Sequence, residues 1–330
     1  MKLTLRLSGI LCFLVLAGAS AFAQTTPAPA PQGQPVKIAV ANFGPHPQLR
    51  LLADNFKAAI LAAGINAQFD EDHVNFDRTL VPQLLNKLAS HDPDLMLTIT
   101  TPLTQTAKQV LASRKFPIVF APVTDPVRSK VLASWDHGDP LMVGASNMPD
   151  LDATCEFIKT LLPQAKRLGI LYNPGDDSDN AFADALEQIA PRHGLTLVRV
   201  GVDNANDIPQ RVQSMDGKVD AVFVPASSLL QPASAAIASA ANRIKLPIFN
   251  SDPGKVRNHE MLAAYSVDWP QIGTNAGKLA AAILKGKKPS ELAVWRAGPN
   301  DREVVISAKR MQALGLSLPD SLKSCNCVVE

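Results

Sequence analysis

From Val36 onward, short runs of strand-forming residues alternate with stretches whose apolar residues recur at helical spacing, and the order of elements repeats once along the chain. The strand candidates are Val36–Ala41, Ala67–Phe69, Leu95–Thr100, Ile118–Ala121 and Met142–Ala145. They continue with Leu168–Tyr172, Thr196–Val200, Ala221–Val224, Ile248–Phe249 and Leu262–Ser266. Between the first two, Leu51, Leu52, Phe56, Ala59, Ile60 and Ala63 share one helical face, ended by Gly64. Such β-α-β-α order predicts parallel, doubly wound sheets with helices on both faces. Right-handed crossovers then bring the loops that follow the strands to one edge of each sheet.

The repetition is specific. Asp94–Gln105 (DLMLTITTPLTQ) matches Asp220–Gln231 (DAVFVPASSLLQ), and each copy runs through a helical stretch to a Pro-Ile strand start at Pro117 and Pro247. Each strand is followed by an Asp-Pro, at Asp125 and Asp252; the offsets are 126 residues at the Gln and 127 at the Asp. Shared composition alone would match apolar runs, but not this ordered series of polar landmarks. The period is far too long for a solenoid, so it predicts two similar α/β lobes. Ligands of open α/β sheets sit at the strand C-terminal edges, and pockets favour domain interfaces. The expected site is therefore a cleft between the lobes.

Residues 1–23 read as a cleaved export signal. Lys2 and Arg6 precede the apolar run Ile10–Leu16, and Ala21-Phe22-Ala23 forms a small-x-small site before Gln24. The run is too short for a membrane anchor, and Cys12 lacks the preceding small residue of a lipid-attachment site. Residues 24–35 carry Pro27, Pro29, Pro31 and Pro35 among small polar residues and read as an extended tether. The whole chain has 32 Lys+Arg against 30 Asp+Glu. Removing the signal takes two positive charges and leaves a neutral, soluble, exported body, which excludes a polyanion binder. Three cysteines remain, Cys155, Cys325 and Cys327. An odd number leaves at least one unpaired, and Cys-x-Cys without a nearby His or further Cys is no zinc site. No ligand-binding role is expected of them, while a disulfide stays open in an oxidising compartment.

Catalytic motifs do not close. His259-Glu260 lacks its second His, since position 263 is Ala; Gly144-Ala145-Ser146-Asn147-Met148 lacks the final Gly of a nucleophile elbow. Gly286-Lys287-Lys288 has no Ser/Thr after it, and no Gly-x-Gly-x-x-Gly follows the first strand. What remains is a set of polar and aromatic residues just beyond strand ends. Phe43 and His46 follow the first; Thr100, Thr101 and Thr104 the third; Thr124 and Asp125 the fourth. In the second half come Asn173, Asp176 and Ser178, then Ser227 and Ser228, then Asn250, then Asp268. Singly, each is an ordinary helix cap or turn residue. Together, the topology aims them at one cleft. Thr hydroxyls at a helix N-terminus suit a carboxylate, and a facing Asp suits an ammonium, so the set fits a zwitterion.

At these residues the chain resembles the substrate-binding proteins of ABC transporters, in the family that includes tryptophan- and tyrosine-binding proteins. The segments that carry the likeness are Pro117–Val127 (PIVFAPVTDPV), Leu168–Gly175 (LGILYNPG) and Tyr265–Trp269 (YSVDW) running on to Gly273. The tail Ala313–Pro319 (ALGLSLP), closing in Val328–Glu330, adds to them. The resemblance implies a two-lobed periplasmic-binding-protein fold of type I, with a hinge that the chain crosses more than once. It implies an N-terminal lobe of 36–147 plus about 268–296, and a C-terminal lobe of 148–267 plus about 297–330. It maps ligand contacts onto the turn after the first strand, Thr100–Thr104, Thr124-Asp125, Asn173–Ser178, Ser227-Ser228 and Asp268. The chain departs from the family at Asp136–Pro140, at Asp176-Asp177-Ser178, at Ser227-Ser228, where an acidic residue is common, and at Cys325-Asn326-Cys327.

The function expected is periplasmic capture of a small polar ligand, an amino acid or related compound, and its delivery to an inner-membrane permease and ATPase. Asp125 or Asp268 would take a cationic group, Thr101 and Thr104 an anionic one, and Phe43 the ligand's side chain. No enzyme activity, cofactor, metal or nucleic-acid partner is expected, and the protein is expected to be a monomer. The alternatives are a sensor subunit reporting to a receptor and an exported α/β hydrolase or isomerase using the same cleft. A sugar-binding regulator fits less well, because a signal and tether stand where a DNA-binding helix pair would be, and few aromatics are left to stack on sugars.

Overall fold

The computed structural model describes residues 34–330; the signal segment and all of the tether except Gln34 and Pro35 lie outside the described residues. The first half runs β1 (Val36–Asn42), α1 (Pro47–Ala62), β2 (Ala67–His73), α2 (Val81–Ala89), β3 (Leu95–Thr98), α3 (Thr101–Val110), β4 (Ile118–Phe120) and β5 (Met142–Gly144). These strands form one parallel sheet in the order β2-β1-β3-β4-β5.

The second half begins with α4 (Leu151–Leu161), β6 (Arg167–Tyr172), α5 (Asp177–Ile189), β7 (Thr196–Gly201), α6 (Ile208–Gln213) and β8 (Ala221–Val224). It goes on through α7 (Ser234–Arg243), β9 (Ile248–Asn250), α8 (Pro253–Arg257) and β10 (Ala263–Val267). After these come α9 (Trp269–Leu284), β11 (Arg302–Ser307), α10 (Ala308–Ala313) and β12 (Val328–Val329). The second sheet has the order β12-β11-β10-β9-β8-β6-β7. Each sheet therefore contains the same five-strand arrangement, with the first strand of the lobe between its second and third.

The duplicated landmarks do the same work in both lobes. Asp94 Oδ2 accepts from Lys37 N at 2.8 Å, and Asp94 N donates to Lys37 O at 2.8 Å. In the second lobe Asp220 Oδ2 accepts from Lys166 N and Arg167 N at 2.8 Å, and Asp220 N donates to Arg167 O at 2.9 Å. Both aspartates pin the start of the lobe's first strand to the start of its third. Both Asp-Pro steps cap the turn after the fourth strand: Asp125 Oδ1 accepts from Val127 N and Arg128 N, and Asp252 Oδ1 from Gly254 N.

The central strands are apolar on both faces because helices cover both. Along β8, Ala221 and Phe223 point into a core with Cys155, Phe157 and Phe249, while Val222 and Val224 point into another with Ile237 and Ile248. Burial pushes the Cys155 thiol up to about 12 and leaves it unreactive; Cys325 and Cys327 are disulfide-bonded to each other.

Two strands lie outside the sequence expectation of purely parallel sheets. β11 runs antiparallel to β10, and β12 joins β11. The reason is where the chain crosses. It leaves β10 at the cleft edge, passes through α9 in the first lobe, and returns to the same edge, where Asp268 N donates to Asp301 O at 2.9 Å. A strand starting there can only run back alongside β10. The crossing after β5 and the returning segment are joined likewise: Trp295 N donates to Gly144 O at 3.0 Å, and Ser146 N to Trp295 O at 2.9 Å.

Helix α9 belongs to the first lobe's core through Trp269, Ile272, Ala276 and Ala280. Its contact with α1 is backbone-close. A Cβ on Gly273 would lie 2.2 Å from Leu52 O, and one on Gly277 would lie 2.6 Å from Phe56 O. Gly273→Ala is expected to force α9 off α1 and cost about 1–3 kcal/mol. A lowered urea midpoint with unchanged slope would show it; an unchanged midpoint would mean that the contact yields freely.

Candidate functional site

The C-terminal edges of the two sheets face each other across a cavity. A recess adjoins it; Thr124, Asn147, Ser178, Ala226, Ser251 and Trp269 line both.

One end is apolar. Phe43, the first residue after β1, meets Phe76 edge-to-face, with ring centroids 6.0 Å apart. Gly44 makes room for that ring, since a Cβ there would lie 2.5 Å from it. Leu49, Pro122, Pro232 and Trp269 extend this wall.

The polar groups come from the loops beyond strand ends. Thr100 caps α3 at φ +90°, a region costly for a β-branched residue, and its Oγ1 is buried without a hydrogen-bond partner. Thr101 Oγ1 accepts from Thr124 N at 3.2 Å, which ties the β3 and β4 loops together. Ser178 lies in the first turn of α5, and Ser227 and Ser228 follow β8. His46 Nδ1 accepts from Gln48 N, so its Nε2 faces Asp252 Oδ2 at 3.6 Å. Burial lowers the His46 pKa, against the opposing pull of Asp252.

The remaining candidates from the sequence stand behind the wall. Thr104 Oγ1 bonds Thr100 O at 2.8 Å and Thr98 Oγ1 at 2.9 Å. Asp125 is spent on the turn described above, and Asn173 Oδ1 accepts from Gly175 N. Asp176 caps α5 through Ser178 N and pairs with Arg78 at 3.4 Å. Asn250 Oδ1 accepts from Gln231 Nε2 and Asp252 N; Asp268 caps α9. For these six the capping or bracing role accounts for the side chain, and Asp125 and Asp268, singled out for a cation, do not line the cavity.

Several lining residues were not among those candidates: Gln48, Phe76, Asn147, Gln231, Asp252 and Trp269 on the main cavity, and Asp179 on the recess. Gln231 and Asp252 were visible as ends of the repeated motifs. Phe76 had no signal, because it arrives from the loop after β2. Asp252 Oδ1 accepts from Gln48 Nε2 at 2.8 Å and Gly254 N at 2.9 Å, and its Oδ2 faces His46. Gln231 donates to Pro225 O and Asn250 Oδ1, while its Oε1 is buried without a partner. Asp179 is 1 % exposed and accepts from Asn173 N at 2.8 Å. Burial, and then the neighbouring Asp176, raise its pKa to about 7.

Contacts between the lobes close the rim. Arg78 reaches Gly175 O and Asp176; Gln105 Nε2 donates to Asp177 Oδ2 at 2.7 Å while also holding Ser129 O; Arg128 pairs with Asp184.

A carboxyl raised to about 7 by burial disfavours the folded state once it ionises, so its contribution to stability falls as pH rises from about 4 to above 7. Asp179→Asn removes that loss. Without ligand, it is expected to raise the melting temperature relative to the parent at pH 8, with a smaller or no gain at pH 5. Equal effects at both pH values would contradict the assigned direction.

The comparisons with known proteins agree with this geometry. Residues 37–328 match the family model described as ABC transporter substrate binding protein. A tyrosine-binding protein of Clostridioides difficile (strain R20291) is 28% identical over 283 residues, covering 84% of this chain and 81% of its own. The ABC domain from Streptococcus pneumonia, solved in complex with L-Trp, superposes with a TM-score of 0.83 at 27% identity, over 89% of this chain and 100% of its own. The ligand-free, open structure of a substrate-binding protein with adhesive properties from Clostridium difficile gives 0.69 at 25% identity, over 89% and 99%. With two α/β lobes, a cavity between their strand ends and a family match over nearly the whole described chain, this protein belongs to the ABC transporter substrate-binding protein family.

Proposed function

We propose that the protein captures an amino acid with an apolar or aromatic side chain and delivers it to an ABC permease and its ATPase. The observation that carries this reading is the division of the cavity. Phe43, Phe76 and Trp269 offer an apolar end, while polar groups gather around the N-termini of α3 and α5. Thr100 and Thr101, at the start of α3, suit a carboxylate, because helix N-terminal amides and hydroxyls hold anions without a buried Lys or Arg. The tyrosine-binding relative and the L-Trp complex support an aromatic ligand.

The closed rim supports capture by hinge motion. The chain overlaps the L-Trp complex better than the ligand-free open relative, at nearly equal identity to both. The three crossings near 145–150, Asp268 and 296–301 form the proposed hinge, with lobes of 36–147 plus 268–296 and 148–267 plus 297–330. A ligand touching both lobes favours closure by its differential affinity for the closed state. Export through a signal in residues 1–23, a periplasmic location without a lipid anchor, a monomeric state and the absence of catalysis complete the proposal. Among the described residues no helix is long and apolar enough to cross a membrane.

Thermal unfolding against a panel of L-amino acids, purines and sugars tests this reading. A cognate amino acid at 100-fold its Kd should add about 2.7 kcal/mol, a rise of roughly 5–10 °C. Phe43→Ala should weaken that ligand at least tenfold. Sugars or purines shifting the transition while amino acids do not would overturn the proposed ligand class, and no shift from any compound would overturn capture.

A further inference from the structure

We propose that Asp179 is the ammonium-recognising residue of this cavity, so that the ligand must carry a protonated amine and its capture expels a proton from the site. This rests on the amino-acid reading above and names the group that would read the amine.

Two acids line the cavity and its recess, Asp179 and Asp252, and among the described lining residues there is no Lys or Arg. Asp252 already accepts from Gln48 Nε2 and Gly254 N through Oδ1, and its Oδ2 faces the His46 ring at 3.6 Å. Asp179 has only the Asn173 amide at 2.8 Å and the Ser227 hydroxyl. The charged groups that act on it come from two elements. Asp176, one turn earlier on the same helix, repels it; Arg78, reaching over from the first lobe, is engaged with Asp176 and half exposed. The other acids of α5 point elsewhere, Asp177 to Gln105, Asp184 to Arg128 and Arg199, and Glu187 to Arg199. The other groups at Asp179 are neutral: Asn173 and Ser227 bond it from the loops after β6 and β8, and Ser251, after β9, and Ser266, on β10, line the same recess.

A second, independent observation gives the same sign. Gln231 is 8 % exposed, and its Oε1 has no partner although it borders the cavity. Its orientation is fixed, because Nε2 faces the carbonyl of Pro225 at 2.7 Å and Asn250 Oδ1 at 2.9 Å, both acceptors. Gln231 Oε1 is thus a fixed acceptor on the cavity wall that no protein donor meets. An ammonium brings three N–H donors and a positive charge, which suit this acceptor and the Asp179 carboxyl.

The proton balance follows. In the closed site without a ligand, burial and then Asp176 raise the Asp179 pKa to about 7, so at and below neutrality much of it is the carboxylic acid. An ammonium stabilises the carboxylate and lowers that pKa. The acid and the ammonium ligand therefore become a carboxylate–ammonium pair and one proton released to solvent. Affinity is then flat above about pH 7.5 and falls below 7 by up to about tenfold per pH unit.

Titration calorimetry, with the L-amino acid that gives the largest thermal shift as probe, tests this. At pH 6.0 the heats in phosphate and in Bis-Tris should differ by close to one released proton; at pH 8.5, compared in two buffers of unlike ionisation heat, release should vanish. The N-acetylated form of the same amino acid should fail to bind. Asp179→Asn should abolish the pH dependence and weaken binding at pH 8 at least 30-fold, while the wild-type proton count and the N-acetyl comparison need no variant to fold. An amino acid that binds with no proton release and a flat pH profile, or as well when N-acetylated, would overturn the role of Asp179 and leave amino-acid capture standing. A protein that no amino acid stabilises would overturn the capture reading, and this inference with it.

Discussion

The architecture depends on the close contact of α9 with α1. Two glycines one turn apart, Gly273 and Gly277, let α9 settle against the backbone of Leu52 and Phe56. This anchors in the first lobe a helix that the chain reaches only after finishing the fifth strand of the second. The chain must then cross to the first lobe and back. Both crossings leave from the edge where β10 ends, and backbone hydrogen bonds tie the returning segment to its neighbours at Asp268 and Gly144. The cleft exists because these crossings hold two independently packed sheets edge to edge at their strand C-termini.

Within that cleft the division of labour is chemical. Aromatic and aliphatic side chains gather at the end fed by the β1, β2 and β4 loops, and uncharged hydroxyls and amides line the middle. The sheet edges supply two helix N-termini, which are favourable to an anion without any lysine or arginine. The carboxylates sit where buried charge is costly. One is reconciled by His46 and Gln48, and the other, Asp179, rests near neutrality. The strained Thr100 and the orphaned oxygens of Thr100 and Gln231 face the same space, and such departures from local preference gather where a ligand completes the hydrogen bonding.

Much of the fold was legible because it is written in local patterns. Most of the ten strands from Val36 to Ser266 announce themselves by short apolar runs between turn residues, and the paired Asp, Gln and Asp-Pro landmarks reveal the duplication. The strand Arg302–Ser307 escaped notice because its direction depends on where the chain re-enters the second lobe, not on its own residues. At the site, polar residues after strands mix two populations that read identically along the chain. Thr101 and Ser178 reach the cavity, while Asp125, Asn173 and Asp268 turn back to cap their own backbone.

The sequence by itself determined the element order, the doubling into two lobes, the edge of each sheet on which the loops gather, and the likeness to a transport family. All of these follow from periodicity and turn chemistry over a few residues at a time. Only the tertiary structure decided which groups share the cavity: Phe76 against Phe43 from the loop after a different strand, Trp269 from a crossing segment, and Asp179 beneath the cap of α5. It alone decided their charge states as well. Whether a carboxyl stays ionised depends on the water removed and the charges brought near it by distant parts of the chain, and those are set only by the packing of the whole fold.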